Sequence, residues 1–265
     1  MRYEGPLRKM SNTFDTTIRY RLQLGGDLLL INSLIGKKLK LTFEGGHTCF
    51  CGELVPEVYR QNFCKECFFT KPEASPTIMK PELSKAHLGI EERDLEFEKA
   101  LQLQPHVVYL AKTDRIKVGV TRFSQVPYRW MDQGAQEVVK LLDVPNRYLA
   151  GEAEVTLKEY FTDKTSWREM LKGTGTDESL MEAKELALSK LPEHLAEFAS
   201  AEDDIWSLNY PLNHKLEKVQ SLSFKARGDS WEGELYGIRG QYLVTSSGVF
   251  NVRSHDGFMV SLEVE

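Results

Sequence analysis

No apolar run in this chain approaches what a bilayer requires. Leu28 to Ile31 spans four residues and Val107 to Ala111 five, where a transmembrane helix needs about 20. The opening residues MRYEGPLRKM lack the apolar middle of a signal peptide, so the expectation is a soluble, cytoplasmic protein without a membrane partner. Surplus positive charge is also missing. Against 34 basic side chains stand 39 acidic ones, a formal net charge of −5. That excludes a uniformly basic nucleic-acid coat and leaves room for a local basic cleft. Internal repeats and low-complexity tracts are absent. Cysteine is scarce, with four in 265 residues, and all four fall within 19 positions. What the chain does have is 41% hydrophobic residues. That is enough for a buried core, which excludes wholesale disorder.

Charge is uneven along the chain. Residues 173–206 carry 2 basic and 9 acidic side chains, more than the whole net charge. This stretch reads as a solvated helix face. It is also the surface on which a protein partner would dock, so a nucleic-acid surface is expected elsewhere.

The pattern divides the chain into four segments. Residues 1–45 alternate as strands in TTIRYRLQL and KKLKLTF, with GG between them. Residues 46–104 hold the cysteines and a polar connector. Residues 105–206 open with HVVYLA and IKVGVT, which read as a hairpin across the turn KTDR. The spacing then predicts a helix over 126–144 after a proline, with Val138, Leu141 and Leu142 on one side. A second helix is expected over 150–161, turning either Val155 and Tyr160 or Leu157 and Phe161 inward. A third is expected over 179–199, broken near Pro192. Residues 207–265 return to a β pattern that should pair with the N-terminal strands into one sheet or barrel.

Cys49, Cys51, Cys64 and Cys67 form C-x-C-x12-C-x2-C. Two close pairs a dozen residues apart have tetrahedral zinc spacing. A reducing cytosol disfavours the disulfide alternative. Four thiolates close the coordination sphere, so the ion should be structural. Gly52 frees the backbone beside the first pair, and His47 is a spare ligand candidate. His87 and His106 read as local hydrogen-bonding histidines.

The hairpin HVVYLAKTDRIKVGVT, the helix bearing Arg129 and the helix GEAEVTLKEYF resemble the core of the GIY-YIG nuclease superfamily over residues 106–161. Tyr109 stands at the first motif's tyrosine and Gly119 at the second motif's glycine. Arg129 stands at the arginine, and Glu154 at the metal-binding glutamate, supported by Leu157 and Phe161. The resemblance implies phosphodiester cleavage. Glu154 would hold Mg²⁺ or Mn²⁺, Arg129 would fork onto phosphate, Tyr109 would orient or deprotonate water, and Gly119 would let the backbone approach substrate. The sequence departs from the pattern twice. Lys117 replaces the second motif's tyrosine, and Gln133 sits where a proton-shuttling side chain is usual. Arg122, Gln133, Trp167 and Arg168 join Gly119 as candidate nucleic-acid contacts, with the last pair a base or phosphate platform. The structural alternative for DKTSWREML is a helix start capped by Asp163 or Thr165.

Over nearly the whole chain, the cysteine cluster, IMKPELSKAHLG, KVGVTR, RWMDQGA, DKTSWREML and GIRGQYL are similar, in that order, to a bacterial domain-of-unknown-function family, number 2797. That resemblance implies further cysteines near the PEL segment in relatives. Here Thr77 and Ser84 stand there, so a second metal pair would be missing. The resulting expectation is an α+β protein with a GIY-YIG-like small sheet and flanking helices, a four-cysteine zinc module and a β-rich sheet or barrel from both termini. Its leading function is nucleic-acid binding with metal-dependent phosphodiester hydrolysis. The alternatives are an inactive nucleic-acid or protein interaction module, and a structural zinc scaffold.

Overall fold

A computed structural model describes residues 1–162, 165–173, 176–212, 214, 216 and 219–265. The chain forms two compact units. One comprises residues 1–68, 131–134 and 209–265, and the other residues 69–130 and 135–208.

The first unit opens with strands β1 (Arg2–Pro6), β2 (Ser11–Thr13), β3 (Arg19–Leu24), β4 (Asp27–Leu30), β5 (Lys38–Thr48) and β6 (Leu54–Val55). Helix α1 (Lys65–Thr70) starts directly after Cys64 and carries Cys67. In the second unit come α2 (Pro76–Met79), α3 (Leu95–Gln102), β7 (His106–Lys112), β8 (Ile116–Arg122), α4 (Tyr128–Asp132), whose last two residues belong to the first unit, β9 (Glu137–Val144), α5 (Arg147–Leu157), α6 (Trp167–Lys172), α7 (Leu180–Lys190), α8 (Glu193–Ala196) and β10 (Trp206–Ser207). The first unit resumes with β11 (Ser221–Leu222), β12 (Ser230–Arg239), β13 (Tyr242–Thr245), β14 (Gly248–Asn251) and β15 (Phe258–Val264).

The alternation in KKLKLTF turns Leu39, Leu41 and Phe43 inward along β5. That strand pairs antiparallel with β12 on one side and β15 on the other, and β1 adds to β15. The termini therefore meet as expected. They do so in an open eight-stranded sheet running β1-β15-β5-β12-β13-β14-β11, with β6 beside β5, and not in a barrel. Among the described residues β1 and β11, the two ends of this order, do not pair with each other, so the sheet stays open. A separate sheet, β2-β3-β4, completes the strands of this unit. Asp132 ties the unit's segments together. Its carboxylate accepts from Lys9 Nζ, from Asn12 Nδ2 at 2.8 Å and from Gln241 Nε2 at 2.8 Å. Arg239 in β12 donates twice to the Gly134 carbonyl, at 3.0 and 2.9 Å.

The second unit is built on a four-stranded sheet ordered β10-β9-β7-β8. The hairpin is where the sequence predicted it. The helix expected over 126–144 is not. Only Tyr128–Asp132 is helical, Gly134 follows with φ of +72°, and Glu137–Val144 is strand β9. Val138, Val139, Lys140, Leu141 and Leu142 are all buried, so both faces of β9 are covered. A strand covered on both faces shows no alternation, and its apolar run passes for helix. The helix expected over 150–161 is α5, which runs Arg147–Leu157 and ends short of Phe161; Leu157 and, past the helix end, Phe161 are buried, while Val155 and Tyr160 stay exposed. The third expected helix is α7, with the break at Pro192 before α8. Ala150, Ala153 and Leu157 of α5 and Leu180, Ala183 and Ala187 of α7 pack with Val108, Leu110, Val118, Leu141 and Val144 in one core. Part of the acidic segment is thereby a core helix, with Lys184 buried and ion-paired to Asp203 at 2.8 Å.

Gly151 sets how closely the Pro81–Leu83 turn approaches α5. A side chain there would collide with the backbone of Pro81 and Glu82. Alanine at this position would gain about 1 kcal/mol in helix propensity, but overpacking against backbone costs about 1–3 kcal/mol. Gly151→Ala should therefore lower unfolding stability by roughly 1–2 kcal/mol, read as a lower urea midpoint. A higher midpoint would mean that the 81–83 turn yields.

Candidate functional site

Strand β5 delivers Cys49 and Cys51 at its end, and a tight turn into α1 delivers Cys64 and Cys67. The first pair lies on a turn in which Gly52, at φ of +93°, donates to the Cys49 carbonyl at 2.9 Å. The four Sγ atoms lie within 4.8 Å of one another, and no disulfide joins them. Zn–S bonds of about 2.3 Å arranged tetrahedrally put the sulfurs about 3.8 Å apart, so a small contraction closes the cluster on one ion. Burial opposes ionisation of Cys49, but N–H groups of Cys64 and Cys51 win and bring it down to about 7. The Cys64 amide reaches Cys49 Sγ at 3.1 Å. Burial and hydrogen bonding with the other thiols push Cys67 up to about 12. Four thiols this close repel one another as thiolates, and a divalent cation removes that repulsion.

His47 takes no part in this cluster. Its ring meets Phe258 edge-on at 4.1 Å, and its Nδ1 lies 3.0 Å from the Pro56 carbonyl. Thr77 and Ser84 are buried and joined through Gln102, whose Nε2 donates to Thr77 Oγ1 at 3.3 Å while Ser84 Oγ donates to its Oε1. Among the described residues the four cysteines are the only group of His, Cys, Asp and Glu gathered closely enough for a metal.

The other candidates sit in the second unit. Antiparallel register puts Tyr109 opposite Gly119 and Ala111 opposite Lys117, so Tyr109, Gly119 and Lys117 share one face of the hairpin. Val108, Leu110 and Val118 form the other face, against α5. Tyr109 is fully buried, its ring edge-on to Trp130 at 5.7 Å. A Cβ on Gly119 would lie 2.7 Å from the Tyr109 hydroxyl oxygen, so the tyrosine ring itself requires glycine there. Lys117 is also buried.

Arg122, Arg129 and Glu154 come together electrostatically around Arg147, which opens α5. Burial lowers the Arg147 pKa from its ordinary value. Glu154 and Glu82 counter that, while Arg122 and Arg129 reinforce it. Arg147 donates to the carbonyls of Thr77 and Ile78 at 3.1 and 2.8 Å. Arg122 and Arg129 are half-buried, and neither guanidinium has a hydrogen bond or ion pair among the described residues. Glu154 lies 3.5 Å from Lys158. Arg147 is the residue the motifs did not reveal. The available signal was its position: a cation in the first turn of a helix capped by Asn146 opposes the helix dipole, so something else must hold it there.

His106 neighbours this cluster. Its Nδ1 lies 2.7 Å from the Gln104 carbonyl, and Nε2 is buried without a partner. Burial brings its pKa down to about 4, with Arg147 and Arg122 adding to the effect. His87 stacks near Tyr148 at 4.5 Å. Gln133 belongs to the first unit, beside Asp132. On α6 the Arg168 guanidinium lies 4.3 Å over the ring of Trp167. The α6 cap is Ser166, whose hydroxyl accepts from Glu169 N, and not Thr165, which instead meets Thr113 Oγ1 at 3.3 Å. Asp163, the other expected cap, lies outside the described residues.

Protein purified without added metal should contain about one Zn²⁺ per chain, and stripping it should loosen residues 45–68 first. Elemental analysis near zero with four titratable thiols in the folded state would refute this. A second expected outcome concerns His106. Folded, it stays neutral down to about pH 4, whereas its ordinary value is 6.5. The stability it contributes is whole above pH 6.5 and lost as pH falls toward 4. Compared with His106→Gln, the native chain should lose on the order of 2 kcal/mol more between those limits in urea titrations. Parallel curves for the two proteins would contradict the assignment.

No helix among the described residues is long and apolar enough to cross a membrane. No curated protein and no solved structure matches the chain. The family described as Protein of unknown function (DUF2797) matches residues 36–260, a stretch that takes in all four cysteines and the arginine cluster. The chain belongs to that family.

Proposed function

We propose that this chain is a nucleic-acid-binding protein that grips a phosphodiester at Arg122 and Arg129, beside Arg147, with metal-dependent hydrolysis of GIY-YIG-like type as its chemistry. The observation that carries the reading is the arginine cluster. Arg122 and Arg129 bear on a third, half-buried arginine and lack carboxylate partners among the described residues. Like charges held together are stabilised by an anion, and guanidinium forks match phosphate geometry. Glu154 is the carboxylate beside them, and a Mg²⁺ or Mn²⁺ held there with waters would supply Lewis-acid charge to the phosphoryl oxygens. In this reading Arg129 neutralises the non-bridging oxygens, and the buried Tyr109 and Lys117, on the hairpin face opposite α5, are left without a direct role. Trp167 and Arg168 extend the contact to a base or phosphate.

A second reading, binding without cleavage, is favoured by the complete burial of Tyr109, whose hydroxyl lies against Gly119 where water has no access. The acidic segment 173–206 then serves as a protein-facing surface.

Incubation of single- and double-stranded DNA and RNA with Mg²⁺ or Mn²⁺ separates the two readings. Cleavage by the native chain and its loss in Glu154→Gln support hydrolysis, whereas binding without cleavage supports the second. With about three phosphate contacts, log K should fall against log salt with a slope of about −2 to −4. Arg129→Ala should cost roughly 2 kcal/mol of binding or turnover, and Lys190→Ala on α7 almost nothing. Absence of binding to any nucleic acid at low salt would overturn both.

A further inference from the structure

We infer that the four-cysteine module is itself a binding site, one that captures unpaired nucleic-acid bases on rings hung from the metal ligands. The chain order makes this arrangement unavoidable. Phe50 lies between Cys49 and Cys51, Phe63 directly precedes Cys64, and Phe68 directly follows Cys67. Fixing the thiolates therefore fixes the backbone from which the rings project. Phe50 is 59% exposed although the Phe63 ring is 5.3 Å away, and Tyr59 is 45% exposed with the Phe68 ring at 5.2 Å. Large apolar rings left in water at a rigid site mark an interaction surface.

Three further features identify the occupant. The Arg60 guanidinium lies 5.5 Å from the Tyr59 ring centroid and 6.0 Å from that of Phe68, with no acidic partner among the described residues. A flat cation over aromatic rings is the arrangement on which bases stack. Next, Arg60–Phe63 is a tight turn. Tyr59 N donates to the Phe63 carbonyl at 2.7 Å, and Gln61 and Asn62 both have positive φ, 50° and 63°. Two consecutive left-handed residues, neither a glycine, are strained, and such strain collects at ligand clamps. Their side-chain amides make no hydrogen bond among the described residues, and each offers a donor and an acceptor to a base edge. Finally, Glu53, Glu57 and Glu66 flank Arg60 and Lys65 along the chain. With that balance phosphate attraction contributes little for either form, so affinity has to come from stacking, which only the splayed bases of a single strand offer. The site lies wholly in the first unit and uses no residue of the arginine cluster.

The test is a fluorescence titration of a single-stranded RNA 10-mer carrying 2-aminopurine, and of the same strand annealed to its complement, with zinc-loaded full-length protein. Binding should quench the single strand's 2-aminopurine, which reports stacking directly. Phe50→Ala and Tyr59→Ala should each weaken single-strand binding about tenfold and reduce the quench, with zinc content and thermal midpoint unchanged. Lys190→Ala, on α7 of the second unit, should keep both affinity and quench, whereas Arg129→Ala should weaken affinity and still quench at saturation. Native affinity and quench in both ring variants would overturn the inference, and that is the result expected if the patch takes a protein instead. Loss of binding in Arg129→Ala alone would also overturn it while leaving the proposed function standing. Loss in the ring variants alone would leave the module as the only nucleic-acid site.

Discussion

Strand β5 is hydrogen-bonded on one side to residues 230–234 and on the other to residues 258–264. Leu41 faces Trp231 in one register and Leu262 in the other, so the core of the first unit exists only when chain positions about 190 and 220 residues apart have met. Everything between residues 49 and 228 is thereby an excursion that must return. Asp132 and Gly134 explain how part of that excursion is bound into the first unit. A carboxylate accepting three hydrogen bonds and a carbonyl accepting two from Arg239 are directional, and they fix residues 131–134 among the strands. This accounts for the RWMDQGA and GIRGQYL segments as partners within one network.

The cysteine module follows from the same constraint. Where the chain leaves β5 it has few buried side chains of its own: over residues 49–68 only Cys49, Phe63 and Cys67 are buried. Such a segment gains little rigidity from hydrophobic burial, and its four clustered cysteines could hold a metal that would supply it. Its exposed rings are not covered by a hydrophobic core.

In the second unit the balance is reversed. The sheet is covered by α5 and α7, and burial is so extensive that polar groups on the hairpin are enclosed with it. Arg147 directs its donors to two carbonyls of the Thr77–Ile78 segment, which leaves Arg122 and Arg129 as the open positive charges. A chain of net charge −5 thus still sets Arg122 and Arg129 where both act on Arg147. Net charge describes the whole surface, whereas anion binding depends on a few guanidiniums held close together.

What the sequence determined by itself was local. The cysteine site was legible because all four ligands lie within 19 residues, and short spacing in sequence forces short spacing in space. The hairpin 106–122, the helices α5 and α7 and the break at Pro192 were legible because turns, caps and periodicity act over a few residues. Strand β9 was not, since only the sheet and helices that cover Val138 to Leu142 make it two-faced. Nor was Gly119's role, which depends on the ring lying across the register from it. The open sheet was equally hidden, because closure depends on whether β1 and β11 meet and no residue in either strand encodes that. Arg147 gave no motif, and its importance arises from neighbours contributed by β8, α4 and the 77–82 segment. Periodicity and ligand spacing are properties of adjacent residues. Burial on two faces, electrostatic company and sheet closure belong to pairs of segments far apart in the chain, and only the tertiary structure brings those pairs together.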